Sequence, residues 1–275
     1  MKKRYIINVQ HFQADIGGVV ALHKLCHDLN SLGEEAYVTN HPTYPHFKAP
    51  VIDLRDRKEN DVVIYPEIVI GNPLNYKHVV RWILNTPGEC CNANSFYDNL
   101  KESDLIFKYS DYFTIRDESK SKGLLTTTFI DTNYFYDKPG VERKGSAFLV
   151  KKKGMQKRIH PDDSIYIPNH MQSNWALMGD LFRQIEYFYC YDNATYWPFL
   201  AALCGCISIV QPNTDMSFEE WSRKFDHMQY GVAYGLNHIE HAKNTLNLVQ
   251  ETILNTSTRY LATVKNLIKE CEKLS

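Results

Sequence analysis

Three stretches of this sequence predict an α/β protein built from two parallel sheets in succession. Residues 4–9, 19–32 and 36–39 read as strand, helix and strand. Residues 187–210 repeat that grammar as strand, polar turn, short helix, glycine and strand. Between them, residues 134–146 carry Lys138-Pro139-Gly140 and many charges, and residues 146–150 then start a new strand. A strand followed by a helix and a second strand implies parallel pairing with a crossover helix.

The individual elements follow from local chemistry. Residues 10–18 form a polar loop ending in Gly17-Gly18, where a tight turn is expected. Val20, Leu22, Leu25, Cys26 and Leu29 then recur at helical spacing, and Gly33 can close the helix. Residues 41–50 hold three prolines and read as a loop. Residues 61–65 form a strand that runs into Pro66-Glu67, and the strand-like run Arg81-Trp82-Ile83-Leu84-Asn85 ends in the turn Thr86-Pro87-Gly88-Glu89. Residues 104–109 and 112–115 are expected as two further strands, and residues 126–130 end the first half.

In the second half, residues 146–150 lead into the basic loop Lys151-Lys152-Lys153-Gly154. Residues 164–167 read as a strand before Pro168, and Leu177, Met178, Leu181, Phe182 and Ile185 have helical spacing. Residues 187–191 are an aromatic-rich strand. Asp192, Asn193 and Thr195 are turn and N-cap types, and residues 197–204 form a short apolar helix with Pro198 in its first turn. Gly205 ends that helix, residues 206–210 form the next strand, and Ser217-Phe218-Glu219-Glu220 has the pattern of a capping box. Residues 239–274 show long helical periodicity with few breakers. The expected division is residues 1–135, residues 145–235 and a C-terminal helical segment over 236–275.

Composition narrows the function classes. A chain of 275 residues with 44% hydrophobic residues can bury a substantial core. A net charge of −1 argues against nucleic-acid binding driven by bulk charge. The seven cysteines follow no regular framework and several sit in apolar runs, so reduced thiols and a cytoplasmic setting are expected. No stretch approaches the length of a membrane span, and the apolar run after Met-Lys-Lys-Arg is too short for a signal sequence.

The second strand–turn–helix is where a phosphate could be held, because free backbone N–H groups and the positive end of the helix dipole converge there. This stretch resembles the donor-binding segment of GT-B-fold glycosyltransferases. That family carries an acidic residue, seven intervening residues, a Glu, a small-residue helix end, a Gly and an apolar strand. Here Asp192 stands at the first position and Ala201-Ala202-Leu203-Cys204-Gly205 matches the helix end, whereas Leu200 replaces the Glu that usually meets the ribose. The resemblance implies two Rossmann-like domains with a C-terminal helix that crosses back to the first. It places the nucleotide-sugar donor on residues 145–235 and the acceptor on residues 1–135.

Donor contacts are expected from Asp192 to the sugar hydroxyls, from Asn193 and Thr195 to the diphosphate, and from Lys151, Lys153 or Arg158 as cations. Any one of those lysines is by itself better explained by a solvated charge cluster, whereas the cluster as a whole fits either reading equally. In open α/β sheets the carboxyl ends of the strands face the ligand, which singles out Gly17, Gly18, Trp82 and Asn85 as cleft residues. If the reaction inverts the anomeric centre it needs a base, for which His11, Asp15 and Glu89 are candidates.

Other chemistry is absent from the pattern. There is no Walker loop and no Gly-x-Gly-x-x-Gly, and Cys90-Cys91 has no partner pair at zinc spacing. Asp162-Asp163 follows His160-Pro161 and reads as a turn, so no metal site of the Asp-x-Asp kind is expected. The expected activity is metal-independent transfer of a sugar from a nucleoside diphosphate to a hydroxyl of a glycan or lipid-linked acceptor, as in polysaccharide biosynthesis. The nucleotide-sugar is substrate and no cofactor is needed. Peripheral membrane association stays open. So do an epimerase or phosphorylase on the same fold and a non-catalytic nucleotide-sugar-binding protein.

Overall fold

A computed structural model describes residues 2–151, 154–155, 157–212 and 216–275, Leu254 without its side chain. The chain divides into two compact units. Met1–Phe129 and Ser257–Ser275 make the first, and Ile130–Thr256 the second.

The first unit carries a six-stranded, all-parallel sheet. Its strands are β1 (Arg4–Ile7), β2 (Glu35–Val38), β3 (Asp61–Pro66), β4 (His78–Ile83), β5 (Leu105–Lys108) and β6 (Ser121–Leu124), in the spatial order β2-β1-β3-β4-β5-β6. β1, β3 and β4 are buried at every position, as a parallel sheet covered on both faces requires. Helix α1 (Gly17–Ser31) covers one face, and Leu22, Leu25, Cys26 and Leu29 pack on Ile7, Ile64, Val80 and Trp82. The same core takes Val264, Leu267 and Cys271 from the end of the C-terminal helix. Thr263 fixes that helix, its hydroxyl accepting the backbone N–H of Thr126 at 2.9 Å. On the opposite face the Arg81 guanidinium is buried with Asp104 at 3.0 Å and donates to the carbonyls of Val69 and Gly71, so the charge is fully partnered where burial would otherwise be costly.

Three sequence expectations change here. Gly17 and Gly18 are the first residues of α1 rather than a turn, and neither has a positive φ. Residues 112–115 are not a strand. The place beside β5 is taken by β6, so Phe113 and Ile115 pack instead with Ile83, Phe96 and Ile106. β6 escaped notice because its sequence is Ser-Lys-Gly-Leu and its register with β5 shifts around Gly123, whose φ is 115°. Helix α2 (Ala93–Asp98) is a further addition, capped by Asn92, which accepts the Ser95 N–H at 2.9 Å.

The second unit has a five-stranded, all-parallel sheet. Its strands are β7 (Ser146–Leu149), β8 (Ile165–Tyr166), β9 (Tyr187–Cys190), β10 (Ile207–Val210) and β11 (Val232–Tyr234), ordered β11-β10-β9-β7-β8. Helices α3 (Trp175–Gln184) and α4 (Trp197–Leu203) follow, and α5 (Phe218–Lys224) opens with the expected capping box of Ser217 and Glu220. The C-terminal run is broken into α6 (Ile239–Thr245), one 3₁₀ turn and α7 (Val249–Glu272). Among the described residues no helix is long and apolar enough to cross a membrane.

Three buried histidines link this packing to pH. Burial holds His23, His78 and His160 below the usual histidine range; for His78 the nearby Lys3 and Lys77 add to the effect, and for His160 Arg158 does. Nδ1 of His23 and Nε2 of His78 have no hydrogen-bond partner among the described residues. Each ring takes up its proton at a lower pH in the folded protein than in the unfolded chain, which does so from about pH 6.5 downward. Their contribution to stability is therefore complete above that pH and is lost as pH falls below it. Calorimetry should show Tm dropping below about pH 6.5, and His78→Gln should make that drop shallower.

Candidate functional site

In each unit parallel pairing sends every strand's carboxyl end to one edge of the sheet, and most of the candidate residues lie on the loops at those edges.

In the second unit the chain leaves β9 at Cys190 and turns through residues 191–196 before α4. The first residues of that turn are held. The Asp192 carboxylate accepts the Ala194 N–H at 2.9 Å, and the Asp192 carbonyl accepts the Cys190 thiol at 3.2 Å. The Asn193 carbonyl accepts the indole N–H of Trp221 at 2.9 Å. Trp221 is itself fully buried and stacked on Tyr234, with ring centroids 4.8 Å apart. Asn193 is buried, whereas Asp192 and Thr195 are half-buried. The Cys190 thiol is pushed well up by burial and by the Asp192 charge, and the positive charge of Lys151 opposes that shift. An ammonium and a carboxylate thus flank the same strand end.

The loop after β7 is tied to this turn. The Tyr191 hydroxyl accepts the Ile159 N–H at 2.8 Å and is hydrogen-bonded to Nδ1 of His160 at 2.5 Å. The His160 ring lies flat on Phe148, with centroids 3.7 Å apart. Gln211 at the end of β10 donates to the Lys157 carbonyl at 2.6 Å. Arg158 is occupied by its own loop, with Asp162 at 2.6 Å and the carbonyls of His160 and Pro161. Lys153 lies outside the described residues.

Two local expectations are corrected. Thr195 is not the N-cap of α4. That place belongs to Tyr196, in helical backbone geometry and without a side-chain cap. Leu200 points into the apolar packing of α4, where every residue is buried.

In the first unit His11 is exposed and 3.0 Å from Gln13, and Asp15 is half-buried. Both lie on the loop between β1 and α1. Helix α1 starts without a side-chain cap and without an acidic residue in its first turn. A methyl group on Gly17 would meet nothing, and one on Gly18 would come within 3.4 Å of Leu84. Glu89 is exposed on the loop after β4, one strand removed from β1 in the sheet order. Asn85 shapes that loop, accepting the Thr86 N–H at 2.9 Å and donating to Cys90 Sγ at 3.3 Å.

Trp82 is not a cleft residue. It is fully buried in the core, and its indole N–H donates to the Leu125 carbonyl at 2.7 Å, because it falls inside β4 on the face covered by α1. Sequence reasoning also missed Glu67. This buried carboxylate follows β3 directly and accepts the Leu84 N–H at 2.9 Å. Its only signal was an acidic residue immediately after a fully apolar strand. His160 was missed as well, since a His-Pro pair reads as an ordinary turn.

No family model matches this chain, and no curated protein does. Solved structures do. T4 phage BGT, in complex with its UDP-glucose substrate, aligns over 99% of this chain and 100% of its own at a TM-score of 0.51 and 10% identity. The fold is GT-B. WaaG, a glycosyltransferase involved in lipopolysaccharide biosynthesis, aligns over 99% of this chain and 96% of its own at a TM-score of 0.48 and 9% identity. The glycosyltransferase SnogD from Streptomyces nogalater gives 98% and 99% coverage, a TM-score of 0.44 and 9% identity.

Within this GT-B chain one phenol makes two of the contacts that hold the loop after β7. Tyr191→Phe removes the acceptor for a backbone N–H and the partner of His160. It should cost about 1–3 kcal/mol, read as a lower denaturation midpoint, and hydrogen exchange at Ile159 should accelerate. An unchanged exchange rate at Ile159 would show that the loop is held by other contacts.

Proposed function

We propose that this protein is a glycosyltransferase that moves a sugar from a nucleoside diphosphate donor to an acceptor hydroxyl of a glycan or lipid-linked molecule. The observation that carries this reading is the pinned turn at residues 191–196, beside Lys151, in a chain with the GT-B fold. The fold is shared over the full length of a protein whose structure holds UDP-glucose.

The chemistry follows from charge. As the bond from the sugar anomeric carbon to the diphosphate breaks, the electron pair stays on the departing oxygen. Preorganised donors aimed at that oxygen supply the largest catalytic term. Lys151, the Thr195 hydroxyl and backbone N–H groups of the turn are suited to that role, with Lys153 as a second cation. Helix α4 has only seven residues, so its dipole is a smaller contribution than the turn itself. Asp192 keeps one carboxylate oxygen beyond its bond to Ala194 for hydroxyls of the donor sugar. The acceptor oxygen bonds to the anomeric carbon and gives up its proton. In an inverting reaction His11, Asp15 or Glu89 would take it. We assign the acceptor to the first unit and the reaction to the cytoplasm, where seven free cysteines are at home. Protein cations rather than a metal ion would neutralise the diphosphate.

Thermal-shift titration with UDP, GDP, dTDP and CMP and their sugars tests the donor site. Saturation at 100 times Kd should add about 2.7 kcal/mol of apparent stability for at least one of them. Thr195→Ala should weaken that nucleotide by about 1 kcal/mol. Asp192→Asn retains the acceptor for Ala194 and should lower turnover more than affinity. If no nucleotide binds, the donor reading fails. Activity should also persist in EDTA; complete loss that manganese restores would require a metal in the reaction.

A further inference from the structure

The second unit holds a cavity of about 540 Å³ that the donor reading does not use. It lies at the opposite, amino-terminal edge of the sheet, where α4 hands over to β10 through Gly205 and where α6 ends. Its volume is in the range of sites for small ligands. Ala202, Leu203, Leu246 and Val249 are apolar residues of its lining, and Asp137, Lys243, Asn247 and Gln250 contribute polar groups.

The charges at this rim are already balanced. Arg143 lies against Asp137 at 2.6 Å and donates to the Cys204 carbonyl at 2.9 Å. Lys243 lies 3.2 Å from Glu240. A net-charged ligand would have to give up its hydration without gaining an unpaired counter-charge, so the site does not favour one. The side-chain amides of Asn247 and Gln250 are in a different state. Both are exposed, and neither has a hydrogen-bond partner among the described residues. Each offers two donors and an acceptor. Gly205 is required where the wall is tightest. Its φ is 85°, and a Cβ there would run into the Arg143 and Asp137 side chains.

A lining that mixes apolar side chains, neutral amides and internally paired charges suits a ring with one C–H face and an edge of hydroxyl groups. We propose that this cavity is a second binding site, for a neutral polyhydroxylated ligand of the saccharide class, at the sheet edge opposite the candidate donor turn. Such a site would hold a glycan chain on the protein independently of the reacting end.

The test is nuclear magnetic resonance of the full chain, following the side-chain amides of Asn247 and Gln250. The probes are maltotriose, lactose and triacetylchitotriose, with decanoate as an apolar anion and UDP as a ligand for the opposite edge. At least one neutral sugar should shift both amides with a millimolar Kd, and UDP should shift neither. The Asn247→Ala, Gln250→Ala double variant should weaken that sugar at least about tenfold, the scale of one to two hydrogen bonds. Its Tm should stay unchanged, because both side chains are exposed. No response to any neutral sugar, a stronger response to decanoate, or full affinity in the double variant would each overturn the proposal. The readout is binding at residues 247 and 250, so it stands or falls separately from any result on nucleotide binding or turnover.

Discussion

Parallel strand pairing is the constraint from which the rest of this molecule follows. Parallel neighbours need crossover connections, the crossovers cover both faces of the sheet, and the central strands become buried throughout. β3 and β4 show the consequence, since even Asp61, His78 and Arg81 within them are buried. The same pairing directs all strand carboxyl ends to one edge. Polar side chains on the loops there can converge without interrupting the ladder, and Asp15, Glu67, Glu89, Lys151 and Asp192 all sit at such ends.

The second unit shows how an irregular loop is fixed in place. The turn after β9 is irregular backbone, and each of its first three residues is fixed by a contact from elsewhere in the unit or within the turn. Tyr191 is tied to Ile159 and His160, Asp192 to Ala194, and Asn193 to Trp221. Trp221 comes from α5, whose start is set by a capping box, and is held flat against Tyr234 of β11. A local helix-start signal near residue 217 therefore positions a turn more than twenty residues earlier in the chain. A turn supported in this way orders its donors before a ligand arrives, and that is the condition for electrostatic stabilisation without reorganisation.

The first unit distributes its polar groups differently. Glu67 is buried and works on backbone, holding Leu84 where β4 leaves the sheet. Leu84 in turn packs toward Gly18 at the start of α1. His11 and Glu89 are exposed by contrast, and their side chains stay available to a ligand. The division is between carboxylates and imidazoles that build the edge and those that the edge presents.

How much of this was legible in the sequence depended on the range of the forces involved. The α/β class, most strands, α1, α3, α4 and the capping box at Ser217 were readable, because side-chain periodicity and cap chemistry are local. The positions of Asp192, Asn193 and Lys151 at strand ends were readable for the same reason. β6 was not, since a polar Ser-Lys-Gly-Leu segment becomes a strand only when a neighbouring edge needs a partner. Trp82 looked like a site residue until its face was known, because an aromatic near a strand end can point to either side of a sheet. Glu67, His160 and the Trp221 contact to Asn193 were invisible for one reason, that their partners lie seventeen, thirty-one and twenty-eight residues away along the chain. The sequence by itself determined most of the elements and the strand ends on which the candidate residues lie. Only the tertiary structure decided which side chains are buried as supports and which remain exposed, because that choice is made by packing between elements that share no local pattern.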